Sequence, residues 1–238
     1  MHDALAQQAF WEQAWVRHLE AYLAQPPRAG LWLVARFGLP RLRGWTVLEL
    51  AGGSCRDARH LARLGVRAIG SDFDQRTLDY LAQRFPGDAL TLQREDAAAL
   101  SLADGAVDLS LHNGFWVLFS DDDRIAALLR EQARVTRGVL VALVHNAGNP
   151  RQRAAFARKA QDDPLYDIRF FTPDELLALV AASGIAAARV RIEKFGGPID
   201  RLLRLPGPFR RPMQWLVPRL YRWLPWRQVE RIALVIER

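Results

Sequence analysis

From residue 46 to residue 144 the chain alternates short apolar runs with helix-patterned stretches, and this alternation limits the possible architecture more than any other feature. Thr46-Val-Leu-Glu-Leu50, Val66-Arg-Ala-Ile-Gly70, Leu90-Thr-Leu-Gln93, Val107-Asp-Leu-Ser-Leu111 and Val139-Leu-Val-Ala-Leu-Val144 have the length and character of buried strands. Between them, 57–64, 75–85 and 121–135 carry helical patterns. Gly65 and Pro86-Gly87 stop the first two, and acids open the third. Strands alternating with helices at this spacing predict an α/β fold, a mostly parallel sheet with helices on both faces.

The flanks read differently. Residues 5–25 predict an amphipathic helix with Phe10, Trp15, Leu19 and Leu23 near one face, ended by Pro26-Pro27. Thr172-Pro-Asp-Glu175 predicts a helix start, with threonine as N-cap, proline at the first position and glutamate at the third. Residues 187–195 and 229–236 read as two strands of a long hairpin with an insertion at its tip.

That insertion holds most of the charge asymmetry. The formal net charge is +7, and 197–227 carries seven arginines (Arg201, Arg204, Arg210, Arg211, Arg219, Arg222, Arg227) against the single acid Asp200. It also carries Phe209, Trp215, Tyr221, Trp223 and Trp226. Such a stretch suits three roles: a substrate lid contributing Trp215 or Tyr221, an interfacial segment on an anionic membrane, or a phosphate-contacting surface. The other strand ends carry no basic interleaving, so nucleic acid is the least favoured. No apolar run approaches the roughly 18 residues of a bilayer span. The residues from Met1 to Gln8 lack the basic and apolar regions of a secretory leader. A lone cysteine, Cys55, argues against a disulfide framework or Cys-rich zinc site. The expected location is the cytoplasm, with peripheral contact at the inner membrane surface left open.

In open α/β sheets ligands bind beyond the carboxyl ends of the strands. Three features fall there in order. Glu49-Leu-Ala-Gly-Gly-Ser-Cys55 follows the first strand, and small residues let backbone N–H groups approach a ligand. Asp72 follows the second, 19 residues beyond Gly53, suited to accept from two ribose hydroxyls, with Phe73 beside it as an apolar face. Asp96 follows the third and can accept from an adenine amino group. His112 and His145 end the fourth and fifth strands and are candidate bases or acceptor contacts, whereas His18 and His60 read as surface or packing residues. No metal-ligand spacing is visible, so metal-independent chemistry is expected.

Val47-Leu-Glu-Leu-Ala-Gly-Gly-Ser-Cys-Arg-Asp57 resembles the first motif of class I (Rossmann-like) S-adenosylmethionine-dependent methyltransferases, an acid followed by Gly-x-Gly-x-Gly. Gly70-Ser-Asp-Phe-Asp74, Arg94-Glu-Asp-Ala97 and Phe170-Phe-Thr-Pro-Asp-Glu-Leu176 are similar to later segments of the same family. Ala51 and Cys55 stand where the first and third glycines are usual; alanine is tolerated if φ stays negative, and a cysteine could narrow the pocket. The resemblance implies a seven-stranded sheet with an antiparallel last strand and S-adenosylmethionine as cofactor. It implies that Glu49, Ala51, Gly52, Gly53 and Cys55 form the cofactor turn. Asp72 would hold the ribose, Phe73 the adenine face, Asp96 with Ala97 the adenine edge, and His112 would lie beside the cofactor. The expected organisation is a helical cap at 1–43, a cofactor-binding core at 44–196, the insertion at 197–227 as lid or interfacial segment, and a final core strand at 228–238.

The expected activity is O-methylation of a small or lipid-linked acceptor, of sugar or phenolic/quinone type, with His112 or His145 as catalytic residue. An RNA or protein methyltransferase, a nicotinamide-dependent oxidoreductase and a non-catalytic binding protein are the alternatives. An oxidoreductase would want a glycine about where Arg56 and Asp57 stand and would not need Asp96.

Overall fold

The computed structural model describes residues 18–238. Backbone at 18–23 is helical, and the rest of the helix expected over 5–25 lies outside the described residues. Seven strands form one sheet: β1 (Thr46–Leu50), β2 (Arg67–Asp72), β3 (Thr91–Arg94), β4 (Val107–Asn113), β5 (Thr136–His145), β6 (Arg189–Phe195) and β7 (Arg231–Glu237). Their order is β3-β2-β1-β4-β5-β7-β6. β1 to β5 pair in parallel, and β7 runs antiparallel between β5 and β6. The expected mostly parallel seven-stranded sheet with an antiparallel last strand is therefore present.

The strands read as continuous apolar runs because both faces are covered. Side chains alternate along a strand, so Val139, Val141 and Leu143 of β5 meet one helical layer while Leu140, Ala142 and Val144 meet the other. The first layer is α1 (Arg28–Phe37), α2 (Leu39–Arg43), α3 (Arg56–Arg63) and α8 (Arg210–Leu220). The second is built on α5 (Asp122–Val135) and α7 (Pro173–Ser183). Two further helices, α4 (Gln75–Arg84) and α6 (Pro150–Lys159), precede β3 and follow β5. α7 starts with the expected capping box, Thr172 accepting from the Glu175 N–H while Glu175 accepts from the Thr172 N–H, and stops at left-handed Gly184.

Two contacts join the ends of the chain to the core. Pro27 leaves the start of α1 without a side-chain cap, and Asp57 of α3 accepts the Gly30 N–H at 2.9 Å instead. Gly30 has no side chain because a Cβ there would lie 3.0 Å from His60 Cδ2 and 3.1 Å from the Asp57 carbonyl. Arg28 pairs with Asp200 of the 197–227 segment and with Glu230, and the Tyr221 hydroxyl donates to Asp200 at 2.6 Å. Leu203, Val217 and Tyr221 are buried in the same layer as Trp32 and Phe195. Thus the one acid of the insertion clamps it to α1, and Leu203, Val217 and Tyr221 join it to the core. Among the described residues no helix is long and apolar enough to cross a membrane.

Candidate active site

A cavity of about 640 Å³ opens along the carboxyl ends of the parallel strands. That is within the roughly 300–1,000 Å³ usual for small-molecule sites. Of the sequence-predicted residues, Glu49, Ala51, Gly52, Asp72, Phe73, Asp96, Ala97 and His145 line it. Gly53, Cys55 and His112 do not.

The turn after β1 is strained at two of its residues. Ala51 has φ 46° and Cys55 has φ 43°, both in the left-handed region, as does Gly53 at 49°. The condition under which alanine is tolerated, a negative φ, is not met at Ala51: the chain must turn sharply here whichever residue occupies the place. A side chain in this conformation costs about 1–2 kcal/mol. Hydrogen bonds impose it. Gly52 N–H donates to the Ser71 carbonyl at 2.8 Å, Gly53 N–H to Asp72 Oδ2 at 2.8 Å and Ala58 N–H to Glu49 Oε2 at 2.6 Å. Cys55 does not narrow the pocket. Its thiol is fully buried with Leu78 and Leu81, in the space left by two glycines, since a Cβ on Gly52 would lie 2.9 Å and one on Gly70 2.8 Å from Sγ. Burial, then the charges of Glu49 and Asp72, push the thiol well above its ordinary range, so it is inert rather than reactive.

Glu49 points toward α3 because β1 alternates, and burial followed by the neighbouring Asp57 raises its pKa to about 8. Asp72 is buried at the end of β2, accepting from Gly53 N–H and, through Oδ1, from Asp74 N–H at 3.1 Å. Burial raises its pKa and these N–H groups oppose the shift. Asp96 is exposed and turns its own loop by accepting the Ala98 N–H at 2.9 Å. Phe73 and Ala97 are half-buried on the cavity wall. The sequence reading missed Ser54, Ser71 and Ser101, whose only signal was their place beside these acids.

The opposite wall is aromatic and basic. Phe115, Leu118, Phe119, Phe156, Tyr166 and Ile168 line it, with Asn113, His145 and Arg231 at its floor. His145 is buried, packed 4.9 Å from Phe156 and 5.4 Å from Phe170 between ring centroids. Gln152 Nε2 lies 3.0 Å from its Nδ1. Burial, then Arg231 and Arg28, hold its pKa well below the usual imidazole value. Arg231 is paired in register with His145 across the β5–β7 ladder. Sequence reasoning missed it by searching the carboxyl ends of strands: β7 runs antiparallel, so its first residue reaches the same sheet edge.

Two other expectations fail. His112 lies beneath the wall, fully buried, with its ring 4.6 Å from Trp116 and 6.0 Å from Phe115. The pleat decides this: His112 turns toward the α5 layer, and Asn113 reaches the cavity instead. Burial, aided by Arg231, lowers the His112 pKa to about 3. Neither Trp215 nor Tyr221 enters the cavity, because Tyr221 is held in the core by Asp200 and Trp215 faces outward at 61 % exposure.

Residues 47–138 match the family model described as a methyltransferase domain. No curated protein sequence matches the chain. Among solved structures, a SAM-dependent methyltransferase from Archaeoglobus fulgidus superposes with a TM-score of 0.60 at 18 % identity, over 89 % of this chain and 94 % of that one. A SAM-dependent methyltransferase from Thermotoga maritima, described as a possible histamine N-methyltransferase, gives 0.58 at 15 % identity, over 93 % and 96 %. Magnesium protoporphyrin IX methyltransferase from Synechocystis, solved with bound S-adenosylhomocysteine, gives 0.56 at 14 %, over 100 % and 89 %. At these identities the structural likenesses establish a shared fold, while the domain match covers the motif-bearing strands themselves. Residues 47–138 are thus a methyltransferase domain, and the chain shares the fold of these S-adenosylmethionine-dependent methyltransferases.

Proposed function

We propose that the β1–β3 side of the cavity holds S-adenosylmethionine and that the β4, β5 and β7 side presents a small acceptor for O-methylation. The observation that carries this is Asp72, a buried carboxylate on the cavity wall whose oxygens take one backbone N–H each and keep lone pairs for two ribose hydroxyls. In this reading Phe73 covers the adenine face, Asp96 and Ala97 meet its edge, and Glu49, Ala51 and Gly52 border the methionine end. Gly53 acts through its hold on Asp72, and Cys55 by filling the space behind the turn.

The cofactor supplies a methyl group on a sulfonium, so the protein's task is mainly alignment of the acceptor. His145 is the acceptor-facing residue. With the Gln152 amide donating to Nδ1, the imidazole proton sits on Nε2 and the ring orients an acceptor oxygen by donating to it. Its depressed pKa makes it a weak base, which favours an acceptor oxygen that ionises readily, phenolic rather than alcoholic.

A lipid-linked acceptor is the second reading. Phe209, Trp215 and Trp223 are 63, 61 and 73 % exposed on a segment whose arginines mostly face solvent, a pattern suited to an anionic membrane surface. Incubation with methyl-labelled cofactor and a cell extract tests both. Label is expected in the small-molecule or lipid fraction as a methyl ether or ester; label in RNA or protein would overturn the proposal. Co-sedimentation with phosphatidylglycerol vesicles is expected for the wild type and lost on Trp215→Ala/Trp223→Ala. Equal binding by both proteins would remove the lipid reading.

A further inference from the structure

The Arg231 guanidinium is a cation that lines the cavity. It donates to a neutral group, the Asn113 side-chain oxygen, and among the described residues its buried Nε has no partner. Among the described residues no carboxylate lies within ion-pair distance of it. The nearby acids are committed elsewhere: Asp200 and Glu230 to Arg28, and Asp57 to the Gly30 N–H and the Asn113 amide. Arg28 and Arg56 beside it are cations as well, and Glu230, which is bonded to Arg28, offsets them only in part. Arg56 also lines the cavity and has a buried Nε without a hydrogen-bond partner, its nearest carboxylate, Asp57, being 4.0 Å away. Burial and Arg28 bring the Arg231 pKa down only to about 10, so the charge persists at neutral pH. An unpaired cation in a low-dielectric floor is costly, and an incoming oxyanion offsets that cost.

What surrounds this cation describes the rest of the ligand. His145, directly across the ladder, is neutral and adds a donor beside it. Above them stand Phe115, Phe119, Phe156 and Tyr166, a wall sized for a flat or elongated apolar body. A carboxylate presents two oxygens that the guanidinium fork can bind bidentately.

We propose that the acceptor is an apolar carboxylic acid whose carboxylate docks on Arg231, assisted by Arg56. This deepens the preceding reading and rests on it for the placement of the cofactor on the other side.

Calorimetry with full-length protein saturated with S-adenosylhomocysteine tests it, using 3-phenylpropanoate and 4-phenylbutanoate as probes against their uncharged amides. The acids are expected to bind the wild type at least about tenfold more tightly than the amides, as a charge-assisted bidentate contact requires. The preference should vanish in Arg231→Gln and partly survive in Arg231→Lys, with thermal unfolding confirming that each variant is folded. Equal binding of acid and amide by the wild type, absence of probe binding, or a preference that persists in Arg231→Gln would overturn the proposal. So would loss of S-adenosylhomocysteine binding in folded Arg231→Gln, which would assign the guanidinium to the methionine carboxylate. Failure of the wild type to bind S-adenosylhomocysteine at all would instead defeat the cofactor placement.

Discussion

From β3 to β1 the cavity wall is carboxylate and backbone amide, whereas from β4 to β7 it is arginine, imidazole and aromatic ring. The two halves also differ in how far the protein satisfies them. In the first, Asp72 and Glu49 accept backbone N–H groups, Glu95 accepts from Ser101 and Gln93, and Ser71 donates to the Glu49 carbonyl. In the second, Arg231 Nε, Gln152 Oε1 and the bordering Arg56 Nε are buried without partners among the described residues. A half completed by the chain itself is rigid before ligand arrives and suits a ligand common to a whole family. A half left with open polar groups is completed by whatever it binds, and specificity is expected there.

The comparison breaks most visibly at Asp72. If Asp72 holds the ribose as proposed, Asp72→Ala removes two charge-assisted contacts of about 1.5 kcal/mol each and should weaken S-adenosylhomocysteine binding about a hundredfold in calorimetry. Asp72→Asn, which keeps one acceptor, should lose less. If both variants bind like the wild type, the carboxylate half has been misassigned.

A smaller effect separates His112 from the site. Its folded pKa of about 3 lies below the unfolded value, so the unfolded chain takes up a proton that the folded chain refuses. Its stabilisation is complete above about pH 6.5 and is lost as pH falls below that, by about 2 kcal/mol at pH 5. Denaturant unfolding across this range should show the loss. His112→Leu should flatten the slope and leave S-adenosylhomocysteine affinity unchanged, and a binding defect in the folded variant would return His112 to the cavity. His145 has a depressed pKa too, so part of the slope remains.

The smallest effects probe the strained turn, and they should differ in sign. Ala51→Gly relieves a left-handed alanine and should stabilise by up to about 1 kcal/mol. Cys55→Gly relieves similar strain but empties a packed site, with a net loss of about 1 kcal/mol. A chemical denaturation series that moves both variants the same way would show that strain alone, or packing alone, governs the turn.

Much of the first half was legible in the sequence because its residues follow parallel strands in order: Asp72, Phe73 and Asp96 each sit where a strand run stops. The second half was not, for three physical reasons. Arg231 begins an antiparallel strand, so it reaches the site from the end that the strand-end rule ignores. The pleat reverses at each residue, and nothing local tells that His112 faces the α5 layer while Asn113 faces the cavity. The insertion is anchored by Arg28 and Asp200, 172 residues apart, a pairing no periodicity reveals. Likewise, the positive φ at Ala51 follows from hydrogen bonds to β2 and not from alanine's own preference.

The division of the cavity is tested most directly by titrating S-adenosylhomocysteine and 3-phenylpropanoate into folded Asp72→Asn and Arg231→Gln proteins. The expected result is crossed: Asp72→Asn weakens the nucleoside and, at saturating nucleoside, spares the acid, while Arg231→Gln spares the nucleoside and weakens the acid. Loss of both ligands in either folded variant, or of neither, would contradict the assignment of the two halves.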